Sequence, residues 1–307
     1  MNIKFQKWIN ILKRSVLGFL FLLVMVLLVA GGYYGWRLLL RPERENRVQE
    51  IFPGVSYYRF IRESPRPIIF HTVEIDTNVN GISEVIITPP DHSKGKEHTA
   101  EVTSQFARNH DVDLATNGSF FTPFRANGPW DYYPHPGDSV DIFSVAVYDQ
   151  HLYSEAEESG RRYIICWDNQ RLQLARDGDL PQGVVHAIPG GIPLVLKGIH
   201  QKRPTSRKSI YAPRTAIGWN QDQSKVWLVT VDGRQPRYSD GVNIHELIDF
   251  LVQLGVYNAV NMDGGGSSTL VAKIKGKHKI LNAPFHTRIP MRERPVANHF
   301  GIRLQHR

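Results

Sequence analysis

The sequence predicts an α+β fold, a single mixed, strand-rich domain with a few helices, preceded by one N-terminal transmembrane helix. Three observations lead there. Short β-branched and aromatic runs recur from residue 68 to residue 274, only two later stretches carry helical spacing, and residues 15–36 hold 22 consecutive positions without a charge. The balance of 41% hydrophobic and 21% charged residues is that of a globular chain. No break in composition divides the region after the N-terminus, and no period of roughly 20 to 50 residues marks a repeat architecture.

As a helix, residues 15–36 reach about 33 Å, enough to cross a bilayer core. Lys4, Lys7, Lys13 and Arg14 precede the run, while Tyr33, Tyr34 and Trp36 stand at its far end like an interfacial aromatic belt. Arg37, Arg41, Arg44 and Arg47 follow it, so the basic count is equal on both sides and does not set the orientation. A basic start before an apolar run is the pattern of an export signal. The run exceeds the ~7–15 residues of a cleaved signal, which favours an uncleaved anchor despite the small residues Ala30, Gly31 and Gly32. Residues 1–14 are accordingly read as a cytoplasmic N-terminus, 15–36 as a signal-anchor, 37–50 as a charged linker and 51–307 as a domain outside the cytoplasm, periplasmic or extracellular. The net charge of +8 fits this placement. Eight of the 37 Lys and Arg but only two of the 29 Asp and Glu precede Val48, so the remainder is near neutral and no nucleic-acid partner is indicated.

Strand-like runs fall at 68–75, 84–88, 112–116, 143–148, 163–167, 226–231, 259–262 and 270–274. A short helix is expected over 104–110. A better supported one covers 243–254, with Ile244, Leu247, Ile248, Leu251 and Leu254 on one face and Gly255 as its stop. Asp76, Asn78, Asn80 and Gly81 copy half of a calcium loop. The twelfth position is Ile87 where a bidentate Glu is needed, so a tight hairpin turn is expected instead. Alternating Lys273, Lys275, Lys277 and Lys279 around Gly276 read as a solvated sheet edge. Cys166, the only cysteine, rules out an internal disulfide and reads as a buried strand residue. Two irregular stretches, 122–139 and 197–214, are long enough to be functional rims.

Several chemistries are missing at the level of motif. There is no P-loop, no GxSxG elbow, no HExxH, and the thirteen histidines lack metal-ligand spacing. No metal and no cofactor is called for. The strongest local signal is the run from Asn258 to Thr269, where an apolar strand ends at Asp263 and is followed by Gly264, Gly265, Gly266, Ser267 and Ser268. Such a turn bends sharply and presents N–H groups to an oxyanion, although a plain glycine-rich hairpin has the same composition. Asn117 and Gly118 end the 112–116 strand in a similar way. With Phe120 and Phe121 beside them they suit a sugar, while Asn-Gly is also the commonest turn dipeptide. Arg214 and Thr215, and Asp232 with Arg234, bracket the strand around Trp227. The two guanidinium groups suit a phosphate, the alternatives being a surface ion pair and an Asp-Gly turn. Glu246 stands three residues after Asn243, the spacing of a capping box, so capping alone can explain it.

Taken in this order, and with Arg294, Pro295, Val296, Ala297 and Asn298, these segments resemble the phosphodiester glycosidase family from about residue 112 to residue 303. The most specific element is Asn261-x-Asp263-Gly-Gly-Gly-Ser-Ser-Thr269 behind a helix and Leu254-Gly255. Ser119 replaces a usual glycine and Met262 a common leucine, departures that bear on substrate detail. The resemblance implies hydrolysis of a sugar-1-phosphodiester to a free sugar and a phosphomonoester, in cell-envelope or exopolysaccharide metabolism. A phosphate monoester leaves as a weak base, so it needs charge stabilisation from arginines and backbone amides more than protonation. A carboxylate still has to activate water or steady the oxocarbenium-like centre, with Asp263 the first choice and Asp232 and Glu246 behind it. The partners expected are a sugar-phosphate or polysaccharide substrate and the membrane. A non-catalytic, membrane-tethered phosphosugar binder and a hydrolase of another glycoside or phosphodiester remain as alternatives.

Overall fold

A computed structural model describes residues 3–155, 162–202 and 210–305. The chain forms two compact units, Met1–Arg41 and Pro42–Arg307. The first is one helix, Ile3–Leu39, in which Asn10–Leu39 is long and apolar enough to cross a membrane, with a mean hydropathy of 2.6 and none of it buried.

The second unit is strand-rich. Its largest sheet is antiparallel and has the spatial order Arg47–Phe52, Val55–Arg62, Ile68–Asp76, Lys225–Val231, Arg214–Trp219, Asn258–Asn261, Pro193–Leu196, Ile199–His200. A second sheet runs Lys277–Ile280, Leu270–Ile274, Leu114–Asn117, His299–Leu304, Ile82–Ile87. A third, five-stranded sheet is built between Ala146 and Pro189, with Tyr163–Trp167 inside it. Because side chains alternate across a strand, the large sheet feeds two cores. Val73, Ile75, Ile217 and Leu228 face Val85, Leu114, Phe300 and Ile302 of the second sheet and Ile165 and Trp167 of the third. Phe70, Ala216, Trp227 and Val229 face the other way, onto Leu247, Ile248 and Leu251 of the helix Ile244–Gln253, where Phe70 and Phe250 stack at 4.1 Å. That helix is capped by Asn243 and followed by Gly255 at φ +81°, a backbone glycine adopts without strain. The shorter helix Thr103–Asn109 covers the second sheet through Phe106 and Ala107. Cys166 lies buried in its strand, where desolvation pushes the thiol up to about 12.

Four sequence readings change. Residues 76–81 do form a tight turn, with the Asn78 N–H donating to Asp76 Oδ1 at 3.0 Å. It is not a hairpin, however. Ile68–Asp76 pairs within the large sheet and Ile82–Ile87 pairs with His299–Leu304, so the turn carries the chain from one sheet to the other. Local turn chemistry fixes the bend and leaves the pairing partner to the tertiary fold. The segment read as a 37–50 linker is shorter, because the first helix continues to Leu39 and Arg47–Phe52 pairs with Val55–Arg62. The run at 143–148 is extended only over Ala146–Tyr148, since Ser144 takes φ +87° and breaks the strand geometry. The irregular stretch 122–139 contains two-residue strands at Arg125–Ala126 and Tyr132–Tyr133. Of the 197–214 stretch, residues 203–209 lie outside the described residues. The Lys-rich hairpin is an edge as read, with Lys277–Ile280 outermost in its sheet.

Candidate active site

The Asn258–Asn261 strand sits inside the large sheet, and its extension delivers Asp263 to the point where two chain segments meet it. The Met262 N–H donates to the Thr215 carbonyl at 2.9 Å, and the Asp263 N–H donates to the Gly118 carbonyl at 3.1 Å. Asn117 completes the clamp. Its Nδ2 donates to the Asp263 carbonyl at 2.7 Å, while its Oδ1 accepts from Thr215 Oγ1 at 2.9 Å and from the Thr269 N–H at 3.2 Å. Asn117 and Thr215 are fully buried. They hold the Asp263 segment from behind.

The glycine run is explained by what lies against it. A Cβ on Gly264 would stand 2.9 Å from the Pro213 carbonyl oxygen, one on Gly265 3.0 Å from Arg234 Nη1, and one on Gly266 2.9 Å from His286 Nδ1 and 3.0 Å from Arg294 Nη2. Gly265 also takes φ +66°. The turn is thus bare so that guanidinium groups can lie on its backbone. Arg214 belongs to the same cluster: burial and then the neighbouring Arg234 charge lower its pKa. Its Nε donates to the Val242 carbonyl at 3.4 Å and its Nη2 to the Ile210 carbonyl at 3.2 Å.

Asp263 is held by the turn that follows it. Oδ1 accepts from the Gly264 N–H at 2.8 Å, Oδ2 accepts from Ser267 Oγ at 2.6 Å, and Arg294 Nη1 stands 3.7 Å from Oδ2. The side chain keeps 14% of its surface exposed. Burial raises its pKa above the ordinary carboxyl value, against the opposing pull of Arg294, Ser267, the Gly264 amide and Arg234. Arg294 in turn donates from Nη1 to Ser267 Oγ at 3.1 Å and from Nε to His286 Nδ1 at 3.4 Å. Its guanidinium lies 4.3 Å from the centre of the Phe124 ring. Burial, reinforced by Arg294, Arg292 and His135, lowers the His286 pKa to about 3, so the imidazole is neutral and its proton sits on Nε2. His286 and Phe124 were missed in the sequence. The only signal was the aromatic content of 122–139, which bears on Phe124 and not on His286.

Gly118 is required by Asn298, whose Oδ1 lies 2.3 Å from where a Cβ would be and accepts from the Ser119 N–H at 2.7 Å. Phe120 is half-buried, with its ring against Gly191 and the Arg162 guanidinium 5.3 Å from its centre. Phe121 packs with Val140, Ile142 and Val296 in a separate core. Ser268 is buried, and its carbonyl accepts from Asn282 Nδ2 at 3.0 Å.

The two reserve carboxylates are committed to partners within the fold. Asp232 is buried and saturated: Oδ2 pairs with His71 Nε2 at 2.8 Å, and Oδ1 accepts from Asn282 Nδ2 at 3.1 Å and the Ala283 N–H at 2.8 Å. His71 Nδ1 meets the Tyr57 hydroxyl at 2.8 Å. Asp232 therefore ties strands together and offers no oxygen to a substrate. Glu246 completes the capping box, its Oε2 accepting from the Asn243 N–H at 2.9 Å and also pairing with Arg66. Since Gln also serves at that position of a capping box, Glu246→Gln is expected to keep near wild-type turnover. A rate collapse in an otherwise stable Gln variant would return catalysis to the helix.

The fold is a strand-rich domain with an arginine-ringed, glycine-rich turn at Asp263. The phosphodiester glycosidase family model matches residues 110–303, and the chain belongs to that family. Bovine N-acetylglucosamine-1-phosphodiester alpha-N-acetylglucosaminidase is 38% identical over 63 residues, which are 20% of this chain and 11% of the bovine protein. The chain thus matches only a small part of that relative's length. Among solved structures, the catalytic domain of the zebrafish enzyme, auto-inhibited by its pro-peptide, superposes with a TM-score of 0.58 at 20% identity over 87% of this chain and 92% of that one. A hypothetical protein from Synechocystis superposes with a TM-score of 0.59 at 16% identity, covering 85% of this chain and 64% of that one. At these identities the superpositions show a shared fold.

Proposed function

We propose that this chain is a membrane-tethered hydrolase that splits a sugar-1-phosphodiester at the anomeric carbon–oxygen bond, releasing free sugar and leaving a phosphomonoester on the other partner. The observation that carries this is the placement of Arg214, Arg234 and Arg294 around a three-glycine turn whose preceding residue is a held carboxylate, Asp263. The guanidinium groups bind the phosphoryl oxygens, and their attraction strengthens as the leaving phosphate gains charge. Asp263 takes a proton from the attacking water, whose oxygen bonds to the anomeric carbon as the bond to phosphate breaks. Phe124, half-exposed beside Arg294, offers an apolar face for the sugar ring.

Incubating the full-length protein with a sugar-1-phosphodiester should yield free sugar and phosphomonoester in equal amounts, with aryl glycosides turned over far more slowly. Binding without release would make the domain a phosphosugar binder, and preference for aryl glycosides would make it another kind of glycosidase. The N-terminal helix supports a single-pass anchor with the domain in the cell envelope, outside the cytoplasm. The protein should then fractionate with membranes, and protease added to intact cells or spheroplasts should digest the domain. A soluble mature protein beginning near Tyr33 defeats the anchor, and protection of the domain defeats export.

A further inference from the structure

A cavity of about 670 Å³ lies where the turns after Asp76, Trp167 and Trp219 meet the end of the His299–Leu304 strand. It opens at the opposite end of the central strands from Asp263. Arg214, at one end of its strand, belongs to the catalytic cluster, and Trp219, at the other, leads into this cavity, with about 17 Å of strand between them. The volume falls within the range of about 300–1,000 Å³ typical of small-molecule sites.

Its lining has a consistent chemistry. The carboxylates are committed to shaping the walls: Asp168 Oδ1 accepts from the Gln170 and Arg171 N–H groups at 2.9 and 2.7 Å, and Asp222 Oδ1 accepts from Ser224 N–H and Oγ at 3.1 and 2.8 Å. Gln223 bonds both the N–H and the carbonyl of Leu172, and its own carbonyl accepts from Thr77 Oγ1 at 2.7 Å, so three separate turns are locked to one another. What remains is amide. Among the described residues, the side chains of Asn169, Gln170, Gln221, Gln305 and Arg171 make no hydrogen bond or ion pair while lining this space. Beneath them lies Trp167, 3% exposed, whose buried indole N–H has no acceptor in the protein. An amide both donates and accepts, which matches a hydroxyl group's two roles. One guanidinium among four amides suits a neutral polyol better than a polyanion.

We propose that this cavity is a second binding site, for a neutral saccharide, which would hold a glycan at the pole of the domain remote from Asp263. The rigid rim supplies preorganisation, and the four amides answer hydroxyl groups.

The test uses the full chain in a detergent without a sugar headgroup, carrying Asp263→Asn so that no turnover interferes. Maltotriose and N,N′-diacetylchitobiose are titrated calorimetrically. At least one should bind with a Kd on the order of 1 mM. The double substitution Gln221→Ala and Gln305→Ala should weaken that binding at least about tenfold through the lost hydrogen bonds. The same double variant on the active background should turn over a small sugar-1-phosphodiester at the wild-type rate. The proposal is overturned if neither saccharide binds, if binding survives the double substitution, or if a methyl sugar-1-phosphodiester displaces the saccharide, which would put it in the Asp263 site. Hydrolysis of the phosphodiester is measured separately, so the exosite and the catalytic reading fail independently.

Discussion

Asp263→Asn is expected to lower kcat/KM on a sugar-1-phosphodiester by at least about a hundredfold, the lower end of what a general-base carboxylate contributes. Asparagine keeps the size of the side chain and can still accept from the Gly264 amide, so the turn should persist while the charge is lost. The pH profile separates a chemical role from a structural one. The base works ionised, and the folded pKa of Asp263 is raised by burial, so the acid limb of kcat/KM should lie above the ordinary carboxyl value, with the rate rising as pH increases through it. Stability runs the other way. A raised carboxyl pKa contributes stability that is present below the unfolded value and lost as pH rises through the folded one. The Asn variant should therefore melt at or slightly above the wild-type temperature at neutral pH. An Asp263→Asn protein with wild-type turnover would remove the central assignment.

Arg234→Ala should cost roughly 2–3 kcal/mol of transition-state stabilisation, or about two orders of magnitude in kcat/KM, with the melting temperature unchanged. The three arginines differ in how cleanly they test this. Arg294 holds Ser267 and His286 and pairs with Asp263, and Arg214 bonds two backbone carbonyls, so truncating either disturbs its surroundings as well as the pocket charge. The Arg234 guanidinium lies against Gly265 and, among the described residues, makes no hydrogen bond or ion pair. Its loss should therefore appear in turnover alone, and Arg234→Lys should recover part of it by restoring a point charge without the bidentate fork. Near-normal kcat/KM in Arg234→Ala and Arg214→Ala together would show that these residues do not hold the phosphate.

Much of this was legible in the sequence because it is written in local patterns. The apolar 22-residue run, the strand ending at Asp263 and the face of Ile244, Leu247, Ile248 and Leu251 depend on periodicities of one or two turns of chain. The capping box of Asn243 and Glu246 is equally local, and for that reason the sequence already offered capping as a sufficient account of Glu246. The glycine run was legible as an unusual turn, but the cause of each glycine was not. Arg234 and Arg294 lie against Gly265 and Gly266 from 31 and 28 positions away, contacts that no spacing rule contains.

What the sequence by itself determined is therefore the strand-rich class, the apolar N-terminal helix and the short list of polar segments from which a site is built. Only the tertiary structure decided which members of that list meet. It kept Asp263 with the arginines, put Asn117 and Thr215 behind the site, buried Asp232 against His71 and added His286 and Phe124. The physical reason is that a carboxylate's role depends on whether a ligand can still reach it. That is set by partners brought in from distant strands: Asp232 gives both oxygens to His71, Asn282 and Ala283 and is fully buried, whereas Asp263, whose oxygens accept only from the turn that follows it, keeps an exposed edge beside Arg294.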